Sequence, residues 1–426
     1  MTTATRIDGG RGLRVAAACL SVAIAAAMVA LTAGIALCDT TPAPPRTNLQ
    51  VTLWDTGVPG EKEALSQLVF SFQRANPDVI VCLEWEDASL AGDLIRRWCN
   101  GYRAYAPDVT VMNELWAWEY RHELLHFPDP MAQELRGRFQ EAVTARLPGP
   151  VRGIPWSVWT PAVYYRTDLL AEAGLEPPTT FAELVECAAA LADPPHLYGL
   201  GFPGPGGGGE ELVNALAFAL GGQRGSGGSG GGQDEDGSDE SARPDPTEAA
   251  LALLVELQAR GALQPEVLSW GQRELGELFA AGRLGMFIAG PWATQLLRAS
   301  AEVEWSAMPL PMADAGVGRV SVDWMVAFED TDRPANALRL MQYLAEEESQ
   351  RTLALISSAP ATPSLLRELR DTAPWSAHIP PLLRGDGPGL STWPREAARL
   401  REALAQVISG RLTPRGALTA GATAAQ

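Results

Sequence analysis

From residue 49 onward, short apolar runs alternate with longer segments in which apolar residues recur at helical spacing. The strand-like runs are Gln50–Trp54, Val79–Trp85 and Asp108–Met112, and the helix-like segments between them are Glu61–Ala75 and Leu90–Cys99. The resulting β-α-β-α-β order predicts a parallel sheet covered by helices, and therefore an α/β fold.

The carboxyl ends of these strands carry polar and aromatic residues. They are Trp54-Asp55 after the first strand, Glu86-Asp87 after the second, and Asn113–Trp116 after the third. Ligands of parallel sheets bind beyond the carboxyl ends of the strands. The sequence therefore predicts a binding site where these three ends meet.

An uncharged, apolar segment lies near the N-terminus. Val15–Leu37 spans 23 residues and follows Arg6, Arg11 and Arg14. A run of this length can cross a membrane, and the leading positive charges would orient the rest of the chain outward. Residues 1–38 are therefore predicted to be an export signal or membrane anchor. The remainder is predicted to be extracytoplasmic, in the periplasm or on the outer face of the cytoplasmic membrane.

Cys38 ends this segment and leaves three forms of the N-terminus open. The chain could be a lipoprotein that is cut before Cys38 and lipidated on it. It could instead keep an uncleaved anchor, or be cut by the ordinary signal peptidase near Gly34–Ala36. Residues 39–47 are rich in proline and indicate a stiff tether to the membrane.

The composition narrows the possible partners. The 426 residues carry 51 acidic and 33 basic side chains, a formal charge of −18, which argues against a nucleic-acid partner. Apolar residues at 46% allow a large core, and the length predicts two or three folded units. The five cysteines include no CxxC pair and no Cys/His cluster, so we expect no zinc site. We also expect no cofactor. Two alternatives stay open for Cys82 and Cys99: because export permits disulfides, they could form one, or they could be two buried thiols.

Two glycine-rich stretches interrupt the later part of the chain. Residues 203–209 read PGPGGGG, and residues 221–246 form an acidic, low-complexity stretch that we interpret as a disordered insertion. Its GGSGG motif at Gly227–Gly231 matches a serine-hydrolase pattern, but a flexible run cannot hold a strained nucleophile. Gly199–Gly204 likewise fits a dinucleotide-binding pattern without the helix that this pattern requires.

Gly153–Leu184 carries a series of recognisable motifs. It contains Gly-Ile-Pro-Trp at Gly153–Trp156, a tyrosine pair at Tyr164–Tyr165, Ala-Gly-Leu at Ala173–Leu175, and PPTTF at Pro177–Phe181. This series resembles the family 1 extracellular solute-binding proteins of ABC transporters, which include the maltose-binding type.

Further motifs of that family follow in order. They are LFAAGRLGMFIAGPW (Leu278–Trp292), SAMPLP (Ser306–Pro311), ALRLMQYLAEEESQ (Ala337–Gln350), SSAPATPSLL (Ser357–Leu366) and ISGRLTPRGAL (Ile408–Leu418). The PPTTFAEL segment also has a local explanation, because Thr180 can cap the following helix with Glu183 completing a capping box.

The resemblance implies a two-lobed, type II periplasmic-binding-protein fold, whose discontinuous lobes are joined by a hinge. The implied first lobe comprises residues 48–157 and 322–357, and the second comprises residues 158–321 and 358–426. The implied crossings lie near Trp156–Trp159, Arg319–Asp323 and Ser357–Ala359.

The resemblance also implies a function. The chain would bind a sugar or oligosaccharide in the cleft as a monomer, without catalysis, and deliver it to the transmembrane permease of an ABC importer. A receptor for another solute (a glycerophosphodiester, a polyol or an anion) is an alternative, with Arg319 as the nearest candidate for an anion. A second alternative is a secreted carbohydrate-active enzyme, although the sequence shows no convincing pair of catalytic carboxylates. Transport and sensing remain equally compatible with the sequence.

Sugars present apolar C–H faces and a ring of hydroxyls, so a sugar site needs flat aromatic rings with acids at their edges. Tryptophans and acids at strand ends, hinge positions and family motifs are the candidates. They are Trp54, Trp116, Trp156, Trp159, Trp292, Trp324 and Trp393, with Asp55, Glu86, Glu114 and Asp323. Trp292 completes the Gly-Pro-Trp motif, whose tryptophan typically stacks on sugar in the family that the sequence resembles.

Overall fold

The computed structural model describes residues 46–139, 141–144, 147, 149–222, 245–300, 302–311, 320–356, 360, 362–369 and 397–423. Several predicted features lie outside these residues. They are the export segment with Cys38, the tether before residue 46, insertion residues 223–244, Arg319, the crossing at 357–359, and Trp393. No described helix is both long and apolar enough to cross a membrane.

The described strands, in chain order, are β1 (Thr47–Asp55), β2 (Val79–Asp87), β3 (Val109–Asn113), β4 (Gly153–Trp159), β5 (Ala162–Arg166), β6 (Tyr198–Gly201), β7 (Leu284–Ala289), β8 (Trp305–Pro309) and β9 (Ser321–Ala327).

The described helices are α1 (Glu61–Ala75), α2 (Ala91–Cys99), α3 (Glu114–Glu119), α4 (Asp129–Arg138), α5 (Glu141–Thr144), α6 (Thr167–Glu172), α7 (Phe181–Leu191), α8 (Gly209–Ala217), α9 (Pro246–Ala259), α10 (Gln272–Ala280), α11 (Trp292–Ser300), α12 (Pro334–Leu344), α13 (Glu347–Ile356), α14 (Pro363–Leu369), α15 (Ala397–Ile408) and α16 (Pro414–Thr423).

The strands form two sheets. The first has the order β2-β1-β3-β9-β4, and the second has the order β6-β7-β5-β8. In the first sheet β1 pairs in parallel with β2 and β3, whereas β9 runs antiparallel to β3 and β4. The predicted β-α-β-α-β unit and its parallel pairing are thus confirmed.

Along the described strands the chain passes between the two sheets twice, and the second passage includes residues 312–319, which lie outside the described part. It leaves the first sheet after Trp159 and enters the second at Ala162, then leaves the second after Pro309 and returns at Ser321. Because β4 stays in the first sheet through Trp159, we propose that this segment of the first lobe ends at residue 159 instead of 157.

The helix α1 shows how the apolar pattern becomes packing. Leu65, Leu68, Val69 and Phe72 are buried, and they lie on one face because they are three or four residues apart. Full burial of such a side chain contributes about 1.5–3 kcal/mol. α1 also packs against α12 and α13, so residues far apart in the chain cover one sheet.

The predicted capping box is present at the start of α7. The Thr180 hydroxyl accepts a hydrogen bond from the Glu183 amide at 3.1 Å, and the Glu183 carboxylate accepts one from the Thr180 amide at 3.2 Å. Such a cap stabilises a helix by about 1 kcal/mol.

The cysteines of the described chain are free thiols. Cys82, Cys99 and Cys187 form no disulfide, so the alternative of two unpaired thiols at Cys82 and Cys99 applies. Burial raises the pKa of Cys99 to about 12, which leaves the thiol protonated and unreactive at neutral pH.

Candidate functional site

A cavity of about 180 Å³ lies between the two sheets. Its lining comes from the ends of β1, β2 and β3, from the β4 and β9 strands, from the first residues of α8, α10 and α11, and from the loops before α8 and α10. Because one water needs about 10–15 Å³ on this measure, the space holds on the order of a dozen waters, enough for a sugar ring. We call this cavity the cleft.

Six tryptophans line the cleft. They are Trp54, Trp85, Trp116, Trp156, Trp159 and Trp292. The parallel strands of the first sheet end at the same edge, which brings together Trp54 of β1, Trp85 of β2 and Trp116 of α3, the helix that follows β3. Of these, Trp85 was not among the predicted candidates.

Packing fixes the orientation of these rings. The Trp54 indole N–H donates to the Val111 carbonyl at 2.6 Å, and the Trp116 ring stacks on Tyr120 with 5.9 Å between ring centroids. Trp159 meets Trp292 edge to face, with centroids 4.8 Å apart. Such contacts hold aromatic surfaces in place before a ligand arrives.

A β-bulge brings Trp156 into the cleft. Pro155 lies opposite Trp324, and Ser157 lies opposite Asp323, so Trp156 is the extra residue on its strand. A bulge re-aims a side chain and also tolerates a proline, which cannot donate to the ladder. Trp156 and Ser157 therefore both line the cleft although they are neighbours in sequence.

Asp323 lies deep in the cleft. Its carboxylate accepts a hydrogen bond from the Ser157 hydroxyl at 2.5 Å. Burial, together with the nearby Glu114 carboxyl, raises the pKa of Asp323 to about 6. The group is therefore mostly ionised at neutral pH although protein atoms have displaced most of its water.

Two other cleft acids have raised pKa values. Burial raises the pKa of Glu61 to about 7, although the Thr56 hydroxyl donates to its carboxylate. Burial also raises the pKa of Glu210, which accepts a hydrogen bond from the Gly206 amide at 2.9 Å. The described residues include no group of three or more His, Cys, Asp or Glu placed to hold a metal ion.

The raised pKa of Asp323 predicts an effect of pH on stability. Between about pH 4 and 6 the folded protein keeps a proton that the unfolded chain has lost, so the free energy of unfolding falls as pH rises. Asparagine does not titrate, so Asp323→Asn should lack this pH-dependent contribution. We expect the free energy of unfolding of the variant, relative to that of the wild type, to rise by roughly 2 kcal/mol from pH 4 to pH 6. Urea denaturation at pH 4, 5, 6 and 7 measures it; a constant difference would contradict the burial argument.

Ion pairs link the two lobes in this structure. Arg273 at the start of α10 lies 3.0 Å from Asp87 of β2, and Arg401 of α15 lies 2.9 Å from Asp93 of α2. Both pairs are partly exposed, so each contributes about 0.2–1 kcal/mol to closure.

We expect the double variant Arg273→Ala, Arg401→Ala to shift the ligand-free protein toward an open form. Small-angle scattering would show a larger radius of gyration, since both arginines bridge the lobes. Arg260→Ala is the control, because Arg260 pairs with Glu186 and Glu256 within the second lobe. An unchanged radius in the double variant would show that these pairs do not hold the lobes together.

Several predicted residues do not line the cleft. Asp55 instead binds Lys62 at 2.6 Å, and Trp324 is buried on the other side of the first sheet beside Pro155. Successive residues of a strand point to opposite faces. Glu86 therefore points away from the face that carries Trp85 and Asp87. Glu114 begins α3 and is buried near Asp323 without lining the cleft.

The predicted residues that the structure brings together are Trp54, Trp116, Trp156, Trp159, Trp292 and Asp323. Cleft residues outside the list of candidates include Trp85, Asp87, Glu210 and Arg273, of which Asp87 is predicted only as part of a strand end. The first two stand at the end of β2 with strand spacing, so that pattern could have identified them. Glu210 and Arg273 come from second-lobe segments without such a signal.

The model of the bacterial extracellular solute-binding protein family matches residues 101–351. The chain belongs to this family. A putative binding protein of Brucella abortus (strain 2308) is 24% identical over 250 residues, 57% of this chain. The match covers 59% of that relative, so the chain spans about three-fifths of its length.

Solved structures confirm the predicted two-lobed fold of maltose-binding-protein type. Maltose-bound MalE3 of T. maritima superimposes with a TM-score of 0.67 at 20% identity, over 87% of this chain and 97% of that one. A solute-binding protein of Agrobacterium radiobacter K84, solved with ribitol, gives a TM-score of 0.68 at 19% identity, over 88% and 98%.

Proposed function

We propose that the chain is the extracytoplasmic binding component of an ABC importer, tethered to the membrane through its N-terminal segment. It binds a sugar or an oligosaccharide in the cleft and delivers it to the permease. It works as a monomer, without catalysis, and without nucleic acid, metal or cofactor.

The main support for this proposal is that six tryptophans line one cleft together with carboxyl groups. Flat rings fit the C–H faces of a sugar, and the acids accept hydrogen bonds from its hydroxyls. Two or three stacked rings at about 1–2 kcal/mol each, plus hydrogen bonds to charged acceptors, approach the ~8 kcal/mol of a micromolar complex.

The distribution of these rings over both lobes fits a receptor that closes on its ligand. Trp54 and Trp116 belong to the first lobe, whereas Trp292 begins a helix of the second. A ligand drives closure only if it binds the closed form better than the open form, which requires contact with both lobes.

The charge of the cleft disfavours an anionic ligand. Arg273 is the one cation among the described residues of the lining, and it is bound to Asp87. The structures solved with maltose and ribitol, both uncharged, support a hydroxylated ligand without negative charge. A polyol is the second candidate, because ribitol was found in one of these two structures.

Titration calorimetry tests the proposal with a panel of monosaccharides, oligosaccharides and polyols. We expect one class to bind with about micromolar affinity. Folded protein that binds no member would contradict the proposed function. Hydrolysis of a chromogenic glycoside by the purified protein would contradict the absence of catalysis.

A further inference from the structure

The ionisable residues that line the cleft are mostly acidic. Six carboxyl groups stand against one guanidinium: Glu61, Asp87, Glu210, Glu211, Glu274 and Asp323 against Arg273. The Arg273 guanidinium lies 3.0 Å from Asp87 and 3.7 Å from Glu274, so its charge is already shared by two of the acids. No other cation lines the cleft among the described residues, so the lining has an excess of acidic groups, although burial raises the pKa of Glu61 and Glu210 and lowers their charge.

Asp323 has no cation beside it among the residues that the structure describes. The groups that face it are the Ser157 hydroxyl, the Trp159 indole and the Glu114 carboxyl. None of these is a cation, and Glu114 has the same charge. Lys62, which does not line the cleft, is paired with Asp55 at 2.6 Å.

A buried carboxylate without a counter-charge is poorly stabilised, because burial removes water and supplies no cation in return. A neutral sugar hydroxyl would donate a hydrogen bond to Asp323 and leave its charge unbalanced. A protonated amine would donate the hydrogen bond and balance the charge.

The aromatic walls favour the same ligand chemistry. A tryptophan face carries negative potential and attracts a cation, more strongly where water is excluded. Trp292 and Trp156 line the cleft together with Asp323 and Ser157. An ammonium group near Asp323 would lie beside indole rings, while the hydroxylated ring that carries it stacks on the others.

We propose that the preferred ligand is a sugar or polyol that carries a protonated amino group, and that the ammonium binds at Asp323 beside Trp156 and Trp292. This inference rests on the proposed function and names the ligand class of the same cleft. A protonated, uncharged Asp323 would have no preference for an ammonium group. The preference therefore requires an ionised Asp323, and its pKa of about 6 leaves it mostly ionised at neutral pH.

The test compares matched ligands on the wild-type protein by calorimetry at pH 7.5. One set is D-glucosamine, N-acetyl-D-glucosamine and D-glucose; a second is chitobiose, its diacetyl derivative and cellobiose. We expect the amine of a set to bind at least about tenfold tighter than both neutral partners. Choline, which has the charge without the sugar ring, is expected to bind more weakly than the amine.

Neutral ligands that bind as tightly as the amines, or more tightly, would overturn the inference and leave the proposed function standing. Binding by no member of either set would overturn the inference, and the wider sugar panel then decides on the proposed function. Choline binding tighter than the amino sugars would overturn the assignment of a sugar ring.

A variant then places the ammonium. Asp323→Asn keeps the size of the side chain and removes its charge, so we expect the preference for the amine over its N-acetyl partner to fall about tenfold or more. Asp332→Asn, an exposed acid outside the cleft, is the control and should keep the preference. A folded Asp323→Asn protein with the full preference would overturn the role of Asp323. The wild-type comparison holds independently if this variant fails to fold.

Discussion

Replacement of Trp292 by alanine is expected to weaken the binding of the best sugar in the panel about 100-fold, which corresponds to a loss of roughly 3 kcal/mol. The indole lines the cleft from the second lobe and meets Trp159 edge to face with centroids 4.8 Å apart. Its removal takes away the stacking surface of that lobe and a wall that excludes water. Titration calorimetry measures the change.

The local chain explains why this ring is placed so firmly. A Cβ atom built on Gly290 would lie 1.9 Å from the Trp292 ring, so only glycine lets the ring fold back over its own chain. The Gly-Pro-Trp sequence thus has a steric reason. Trp118→Ala is the control, because that ring covers Arg121 outside the cleft. Unchanged affinity in Trp292→Ala would show that the ligand lies elsewhere.

The substitution Gly199→Ala is expected to destabilise the folded protein by roughly 3 kcal/mol, at the upper end of overpacking effects. The added Cβ would lie 1.8 Å from the carbonyl oxygen of Ala188. That oxygen belongs to the backbone of α7, so the helix would have to move away from β6. Urea denaturation measures the loss.

Gly137→Ala is the matched control. Gly137 lies on the exposed side of α4, and a Cβ there meets nothing within 4 Å. Alanine is the better helix former, so this variant should gain about 0.4–1 kcal/mol. If both variants had the same stability, close packing of α7 on β6 would not be the cause.

The fold could be predicted from the sequence where one pattern determines one element. The alternation from residue 49 identifies β1, α1, β2, α2 and β3, and their order determines the parallel pairing. The antiparallel β9 between β3 and β4 could not be derived in that way. Its partners lie more than 150 residues away, and local periodicity contains no information on such pairing.

The site could be predicted less completely, because a strand end presents adjacent residues to opposite faces. Trp54 faces the cleft and Asp55 does not; Asp323 faces it and Trp324 does not. All four residues are candidates from the sequence alone. Which member of a pair faces the cleft depends on which residues of the strand point to that side of the sheet. The bulge at Trp156 changes this alternation, and no sequence signal marks the bulge.

The sequence alone also predicts no role for the glycine-rich stretch at 203–209. The structure places Gly206–Gly208 in the cleft, where the Gly206 amide binds Glu210. A low-complexity run appears uninformative when it is considered alone. Its role here depends on α8, which it precedes, and on the first-lobe elements that it faces.

The position of β9 in the first sheet has a consequence for the order of events during synthesis. β3 and β4 have no hydrogen-bonded contact with each other and are joined through β9, which is made about 160 residues after β4. Until residue 327 leaves the ribosome, both strands therefore expose unpaired edges, which invite association with other chains. A nascent chain halted before Ser321 should consequently depend on chaperones or rapid export to remain unaggregated.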